Sequence, residues 1–253
     1  MSQPNEKVVD ALFHDFDQAD APGAAVMVIR NGKPILAKGY GLADLEKKIP
    51  CTTDTNFRLA SLTKQFTAMA VLLLAEQGKL SLEDRLPKFF PEFPQYGKTI
   101  TIRHLLTHRS GLLDYEDHIP QGTTIPLSDR DVLFILQRQS KTDFLPGSQF
   151  HYSNSAYALL ALLVENVSGR TFPAFLKERI FEPLGMTNTA AYVAGLSFVP
   201  NRAYGYASGR SGWELSDQSL TSAVLGDGGI YSSVADLFKW DQALYSEEFV
   251  SRI

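Results

Sequence analysis

The feature that most constrains the fold is a helical segment at residues 61–77 that is apolar on nearly all sides. Its centre, AMAVLLLA (68–75), is the longest uninterrupted apolar run in the chain, and Gly78 marks its end. A helix without a polar face has to be buried inside a sizeable core. The chain has 253 residues and a hydrophobic content of 44%, which is ample for such a core in one large domain or two small ones.

The same helix begins with two polar residues, Ser61 and Lys64. Ser61 is the one serine in the chain that has a lysine three residues later. Residues i and i+3 share a helix face, so the hydroxyl and the amine would be neighbours, as a nucleophile and its base are. A serine at a helix start also lies where backbone N–H groups favour a developing negative charge. The ordinary alternative for an isolated S-x-x-K is a helix start with a solvated lysine.

The remaining segments predict a hairpin at the start and helices in the middle. Asn31-Gly32, between AAVMVIR and KPILAKGYG, signals a β-hairpin over residues 24–41. After residue 183 no convincing long strand is predicted. One strand pair does not make a stable sheet by itself, so the hairpin needs partners. Helices are predicted at 5–19, 101–109, 128–139, 155–168, 172–182 and 233–245.

Composition excludes several classes of function. The formal charge of −4 and the pI near 5.7 leave no basic patch for nucleic acid. A single cysteine, Cys51, rules out an internal disulfide, and no apolar run approaches the roughly 20 residues that span a bilayer. The start, MSQPNEKVVDALFHDF, lacks the apolar core of a signal peptide. The expected location is therefore the cytoplasm, or the periplasm or exterior if a leader was removed.

A second polar motif, Tyr152-Ser153-Asn154, follows the first by about 90 residues. By itself it predicts a loop and then a helix from residue 155, with Ser153 or Asn154 as the N-cap. Paired with the S-x-x-K helix start, it is the pattern of penicillin-recognising serine enzymes.

Longer stretches resemble class C β-lactamases and their relatives: LLTHRSGL (105–112), residues 144–189, AYGY (203–206) and GGIYSSVADLFKW (228–240). From about residue 20 onwards the chain is identified as a member of the serine β-lactamase-like family, which includes penicillin-binding proteins, DD-peptidases and family VIII esterases. The resemblance implies an α/β (α+β) fold of the β-lactamase/transpeptidase type, in which helices flank an antiparallel sheet beside an all-helical half. Residues 1–80 and 215–253 would form the α/β portion and residues 81–214 the helical portion, with the active site in the cleft between them.

The resemblance also implies an activity and roles for residues of the two motifs. The chain would be a serine hydrolase that forms an acyl-enzyme with β-lactam, D-amino-acid peptide or small ester substrates and needs no cofactor. Ser61 would be the nucleophile, and Lys64 and Tyr152 would work as a coupled pair; which of them carries the proton stays open. Asn154 would hydrogen-bond Lys64 and the amide group of the substrate.

Tyrosines near the matched segments are candidates for lining the substrate cleft. Tyr115, Tyr204 and Tyr206 could each line the cleft, and Tyr115 and Tyr204 join Asn154 as the substrate-binding candidates. A packing role is the favoured interpretation for each tyrosine. His151 precedes Tyr152 and could touch the site. Asp227 lies in the Gly-Gly turn of the resembling segment, where a structural role is favoured over a catalytic one.

The chain departs from the family in its third motif, because no K-[ST]-G or H-x-G occurs in it. Family members usually continue well beyond the Gly-Gly turn, so the chain as written looks C-terminally truncated. The hairpin edges would then need a cover: a second copy in a dimer, a swapped segment or, as the favoured explanation, a complementing C-terminal segment. The alternative function is a catalytically incomplete homologue that acts as a scaffold or needs a partner segment.

Other chemistries are disfavoured. His104 and His108, spaced i and i+4, could share a metal, but no Glu lies between them in the H-E-x-x-H manner. Capping or solvated histidines are the favoured interpretation, and no metal site is predicted. The chain has no G-x-S-x-G elbow, P-loop or dinucleotide-binding fingerprint.

Overall fold

The fold is described for residues 6–246 by a computed structural model. It confirms the N-terminal hairpin, in which β1 (Ala24–Arg30) pairs antiparallel with β2 (Lys33–Tyr40). Asn31 and Gly32 have φ values of 52° and 69°, the two positive values that a type I′ turn requires. The first helix, α1 (Glu6–Leu12), is shorter than the predicted 5–19, of which residue 5 lies outside the described residues; a 3₁₀ turn at His14–Phe16 follows it.

The other strands are short and mostly join segments far apart in sequence. β3 (Leu42–Asp44) pairs with β4 (Ile49–Pro50), and β7 (Tyr206–Gly209) pairs with β8 (Gly212–Leu215). A three-stranded antiparallel sheet has the order β5 (Phe57–Arg58), β9 (Ile230–Ser232), β6 (Ala190–Ala191). Within residues 6–246 the β1–β2 pair forms a sheet of two strands.

The portion predicted as all-helical, residues 81–214, therefore needs a correction. It contains β6, β7 and most of β8. Strands of two to four residues are too short for an alternating pattern to reveal them in a sequence. The division of the chain at residues 80 and 214 remains a prediction.

Two long helices form the centre of the core. α2 (Thr63–Glu76) follows a 3₁₀ turn at Ala60–Leu62, and α5 (Asn154–Ser168) packs against it. Every residue of α5 from 155 to 164 is buried, which explains why this helix also has little polar surface. Two further helices, α4 (Asp129–Gln137) and α6 (Phe172–Leu176), pack on α5, and a π-helical turn at Lys177–Phe181 extends α6.

The remaining helices are shorter. α3 (Ile102–Leu106) ends before the predicted residue 109, because His108 takes a φ of 57° that a helix cannot accommodate. α7 (Leu225–Gly228) is a single turn, and α8 (Val234–Ala243) lies where the final helix was predicted. Short 3₁₀ turns lie at Leu86–Lys88, Gln95–Thr99 and Glu116–His118.

α8 docks on the central helix: the Trp240 indole N–H donates to Gln65 Oε1 at 2.5 Å, and its ring lies 4.5 Å from that of Phe66. Among the residues that the structure describes, no single helix is both long and apolar enough to cross a bilayer. The bent pair Asn154–Ser168 and Phe172–Phe181 passes that test only when the two are taken together.

Candidate active site

Ser61 lies in the turn that joins β5 to α2. The Leu59 N–H donates to the Ile230 carbonyl at 2.8 Å, and the Ile230 N–H donates to Thr63 Oγ1 at 3.2 Å, so β9 fixes the start of the helix. Ala60 has a φ of 47°, a value that non-glycine residues rarely adopt and that is enriched at functional sites. This turn leaves Ser61 exposed at the entrance of a buried helix.

Lys64 is only 6% exposed, and its amine has three acceptors in the protein. They are Ser61 Oγ at 3.2 Å, Asn154 Oδ1 at 2.8 Å and the main-chain oxygen of Asp227 at 2.8 Å. An ammonium group has three N–H bonds. Because a buried cation is tolerated only when its donors are satisfied, this geometry suits Lys64 in its charged form.

Tyr152 completes the contacts of Ser61. Its hydroxyl oxygen lies 2.7 Å from Ser61 Oγ, closer than the Lys64 amine. Lys64 Nζ also lies 4.9 Å from the centroid of the Tyr152 ring. That distance is typical of a cation–π contact. The structure thus brings together the three residues predicted to be catalytic.

Asn154 connects the two motifs and the cavity wall. It is the first residue of α5, and the predicted cap is confirmed because Ser153 Oγ accepts from the Ala156 N–H at 3.1 Å. The Asn154 side chain accepts from Lys64 through Oδ1 and donates from Nδ2 to Glu116 Oε1 at 3.1 Å. Glu116 is an exposed acidic residue of the site that the sequence analysis missed.

His108 is a second residue whose position was not foreseen. Its Nδ1 accepts from the Ser153 N–H at 3.1 Å, and its ring lies 4.6 Å from the Tyr152 ring and 5.0 Å from the Tyr157 ring. Burial, and then the charge of Lys64, lower the pKa of His108. A neutral ring is what an accepting Nδ1 requires. His108 therefore holds the loop that carries Tyr152, and its place within LLTHRSGL was the available signal.

The capping interpretation is confirmed for His104. Its Nδ1 accepts from the Thr101 N–H at 3.3 Å in a capping box at the start of α3. Over residues 6–246 there is no group of three or more His, Cys, Asp or Glu side chains that could hold a metal ion.

A polar cavity of about 140 Å³ opens beside Ser61. Its wall carries both signs of charge, with Arg58 facing Glu116 and Asp227. A larger cavity of about 640 Å³ lies beside α6 and β6 within residues 171–200. It contains neither Ser61 nor its partners, so the smaller cavity is the candidate site. The small cavity is lined by Arg58, Ala60, Ser61, Tyr115, Glu116, Asn154, Thr221, Asp227 and Gly228.

Asp227 and Tyr115 form the inner wall of this cavity. The Tyr115 hydroxyl donates to Asp227 Oδ2 at 3.1 Å, and the tyrosine is completely buried. Burial raises the pKa of Asp227 to about 6, although the charge of Lys64 and the hydrogen bond from Tyr115 act in the opposite direction. Burial, and then the charge of Asp227, raise the pKa of Tyr115, which keeps the phenol a neutral donor.

The candidate Tyr206 does not line the cavity, and its hydroxyl accepts from the Leu45 N–H at 2.9 Å. Tyr204 does not line the cavity either. Its ring lies 5.1 Å from the Arg202 guanidinium, and its N–H donates to the Ala43 carbonyl at 2.9 Å. This packing gives no support to a substrate contact.

His151 is exposed next to Tyr152, with its ring 6.5 Å from that of Phe144.

Comparison with known proteins identifies the family. Residues 9–252 match the Beta-lactamase family. Penicillin-binding protein 4* of Bacillus subtilis (strain 168) is 33% identical over 266 residues, which cover 100% of this chain and 58% of that protein. The chain therefore spans little more than half the length of this relative.

Three solved structures share the fold. The octameric penicillin-binding protein homologue from Pyrococcus abyssi has a TM-score of 0.82 and 29% identity, over 98% of this chain and 58% of that one. The D-amino acid amidase from Ochrobactrum anthropi SV3 has a TM-score of 0.81 and 26% identity, over 98% and 71%. EstCE1, a hydrolase with promiscuous acyltransferase activity, has a TM-score of 0.76 and 26% identity, over 97% and 73%.

These matches extend over nearly the whole chain, and the helices and antiparallel strands of the structure are those of a β-lactamase/transpeptidase-like fold. The chain belongs to the Beta-lactamase family.

Proposed function

We propose that the chain is a serine hydrolase that forms an acyl-enzyme on Ser61. The observation that carries this proposal is the pair of contacts on Ser61 Oγ, with Tyr152 at 2.7 Å and Lys64 at 3.2 Å. A hydroxyl with two such neighbours can lose its proton as it attacks a carbonyl carbon. The names of the relatives, which include an amidase and a hydrolase, support a hydrolase of this kind.

In this mechanism Tyr152 is the base. All three N–H bonds of Lys64 already have acceptors, so Lys64 acts as a fixed positive charge that favours the Tyr152 phenolate. The phenolate takes the Ser61 proton while Oγ forms its bond to the carbonyl carbon. The proton then passes from Tyr152 to the leaving group as that group departs. Water attacks the resulting ester in the same way, which releases the acid and restores Ser61.

The developing oxyanion needs hydrogen-bond donors. We assign the Ser61 N–H to this role, since it belongs to the turn that opens α2 and the helix start carries a positive potential. Removing one such donor typically lowers the rate by about 10²–10³.

For the substrate, we propose amide-like acyl donors, namely β-lactams or D-amino-acid amides and peptides, ahead of small esters. The reason is Asn154, because an amide side chain in contact with Lys64 can also pair with an amide of the substrate. The cavity of about 140 Å³ fits a small acyl group. The relatives include both a D-amino acid amidase and EstCE1, so small esters are the close alternative.

A panel of chromogenic substrates tests this proposal: a cephalosporin, the p-nitroanilides of D-alanine and L-alanine, and p-nitrophenyl acetate. We expect turnover of the cephalosporin or the D-anilide with a kcat/KM above that of the L-anilide. Turnover of the acetate alone would favour the ester alternative. No turnover, with no labelling of Ser61, would leave the catalytically incomplete scaffold; the intact arrangement of Ser61, Lys64 and Tyr152 argues against that outcome.

We also propose that a further segment or a second copy covers the β1–β2 pair. α8 packs against β1, but within residues 6–246 no further strand pairs with either edge of the β1–β2 pair. Proteins usually cover such open edges, and one solved relative is octameric. Light scattering after size exclusion measures the assembly: a mass that is a multiple of 28.0 kDa supports self-association, and a monomer points to a complementing segment.

A further inference from the structure

The position of the Lys64 amine depends on α7, a helical turn that is too short to be stable without outside contacts. Two of the acceptors of Lys64 are side-chain atoms. One belongs to Ser61, in the 3₁₀ turn that leads into α2, and the other to Asn154, the first residue of α5. The third is the main-chain oxygen of Asp227, in the four residues of α7. A helix this short has little stability of its own in water. Something outside α7 has to fix the place of that oxygen.

Asp129 supplies this support. The Leu225 N–H donates to its Oδ2 and the Gly226 N–H donates to its Oδ1, each at 2.9 Å. These are N–H groups that open α7, which have no partner within a helix, and the N-cap residue Val224 provides no side-chain cap. We propose that Asp129 is a positioning residue, whose carboxylate holds α7 so that the Asp227 main-chain oxygen receives the Lys64 amine. The role rests on the proposed function of Ser61 and Lys64.

The turn is fixed on its other sides as well, so a shift at Asp129 has few ways to be absorbed. A Cβ on Gly226 would lie 2.2 Å from the Tyr157 carbonyl oxygen and 2.7 Å from the Ala161 Cβ, which shows how closely α5 approaches. The Thr67 hydroxyl donates to the Gly226 carbonyl oxygen at 2.7 Å from α2. Asp129, α5 and Thr67 thus hold α7 from three directions.

The chemistry of the contact requires a carboxylate. Both oxygens of Asp129 accept a hydrogen bond from an N–H group. A proton on either oxygen would place an O–H donor against an N–H donor and remove that hydrogen bond. Burial raises the pKa of Asp129 to about 7, while the two N–H donors act to lower it. Asp129 is also the first residue of the nine-residue helix α4, where the helix dipole favours a negative charge.

Asp129 is not required to cap its own helix. Ser128 is the N-cap of α4, and Asp131 completes a capping box by accepting from the Ser128 N–H at 2.8 Å. Because Ser128 and Asp131 cap α4, the buried carboxylate of Asp129 is free to bind the turn at Gly226, 97 residues away. Asp131 therefore provides a matched control on the same helix.

The test compares Asp129→Asn with Asp131→Asn in the full chain, using a fluorophosphonate that labels Ser61 and a chromogenic substrate. An amide places an N–H against one of the two N–H donors of α7, so the turn should move. We expect the labelled fraction to stay near that of the unsubstituted chain and kcat to fall on the order of 10²-fold in Asp129→Asn, with KM changing much less. Asp131→Asn should keep the unsubstituted kcat, whatever it does to stability.

Two results would overturn the assignment: an unchanged kcat per labelled site, or a loss of labelled sites with an unchanged rate at those that remain, which is a purely structural effect. If Asp129→Asn does not fold, Thr67→Val removes the support from α2, and an unchanged rate in that variant also counts against the assignment.

A readout without activity separates this inference from the proposed function. With lysines labelled by ¹³C at Cε, the Lys64 resonance, assigned by Lys64→Arg, should shift in Asp129→Asn and stay in place in Asp131→Asn. Failure of the unsubstituted chain to label overturns the proposed function, whereas an unmoved Lys64 resonance overturns the role of Asp129.

Discussion

The Tyr152 hydroxyl oxygen lies 2.7 Å from Ser61 Oγ, although the two residues are 91 positions apart in the sequence. Lys64 lies beside both, and its three N–H groups donate to Ser61, Asn154 and the main-chain oxygen of Asp227. This distribution of contacts distinguishes the two basic groups. Tyr152 is the proton acceptor in the proposed mechanism, and Lys64 is the charge that makes it one.

Tyr152→Phe removes the acceptor and should lower the rate of Ser61 acylation by about 10²–10⁴, the usual contribution of a general base. Single-turnover labelling measures this rate. The control is Tyr96→Phe, which removes the hydroxyl of a half-buried tyrosine that donates to the Leu136 carbonyl at 2.6 Å. It should cost about 1 kcal/mol of stability and leave the labelling rate unchanged. A Tyr152→Phe rate within about tenfold of the unsubstituted chain would exclude Tyr152 as the base.

Asn154→Ala removes one acceptor from the Lys64 ammonium and the donor to Glu116. A hydrogen bond to a charged group contributes about 1.5–3 kcal/mol, so kcat/KM should fall by roughly 10- to 150-fold. Glu116→Gln keeps an oxygen for the Asn154 amide and should change kcat/KM much less. Equal losses in the two variants would show that the charge of Glu116, rather than the support of Lys64, dominates.

Stability should depend on pH through Asp227. Its pKa is raised from 3.8 to about 6, so the folded state binds the proton more tightly than the unfolded state does. The contribution is fully present below about pH 4 and is lost as pH rises through about 6. At about 1.4 kcal/mol per pKa unit, the loss is about 3 kcal/mol.

Urea unfolding at pH 4.5 and pH 7.5 measures this loss. Asp227→Asn keeps an acceptor for Tyr115 and removes the titration, so the decrease with pH should become smaller by up to that amount. An identical decrease in both proteins would mean that Asp227 titrates normally in the folded state.

Gly226→Ala should be strongly destabilising, because the new Cβ would meet backbone and helix atoms at 2.2 and 2.7 Å. Overpacking of this kind costs about 1–3 kcal/mol or more. Gly169→Ala is the matched control. Gly169 has a φ of 69° and open space around its Cβ position, so this substitution should cost only the strain of the left-handed backbone, about 1 kcal/mol of stability. Equal free energies of unfolding would contradict the close packing of α7 on α5.

The sequence was sufficient to predict an element or a site residue where a local pattern is strong. Asn31-Gly32 predicted the hairpin turn, and the apolar periodicity predicted α2 and α5 within a few residues. The S-x-x-K and Y-S-N motifs predicted four side chains that the structure brings together. The short strands β6 and β9 carry no such pattern, and their pairing depends on contacts between distant segments.

The supporting residues of the site were missed for the same reason. The hydrogen bonds of His108 to Ser153, Glu116 to Asn154 and Asp129 to Gly226 span 45, 38 and 97 residues. Nothing in the spacing of these residues predicts such partners. The Tyr204 ring packs on Arg202, in line with the packing role that was favoured for it, and a contact between Tyr204 and substrate stays a prediction.

The central claim is that Ser61 is the nucleophile of an acyl-enzyme, and intact mass spectrometry of the purified protein with a penicillin and a fluorophosphonate tests it most directly. We expect a single adduct of each reagent on the unsubstituted chain, mapped to the peptide that contains Ser61, and no adduct on Ser61→Ala. A folded chain that takes up neither reagent, or a Ser61→Ala variant that is labelled at full stoichiometry, would contradict the account.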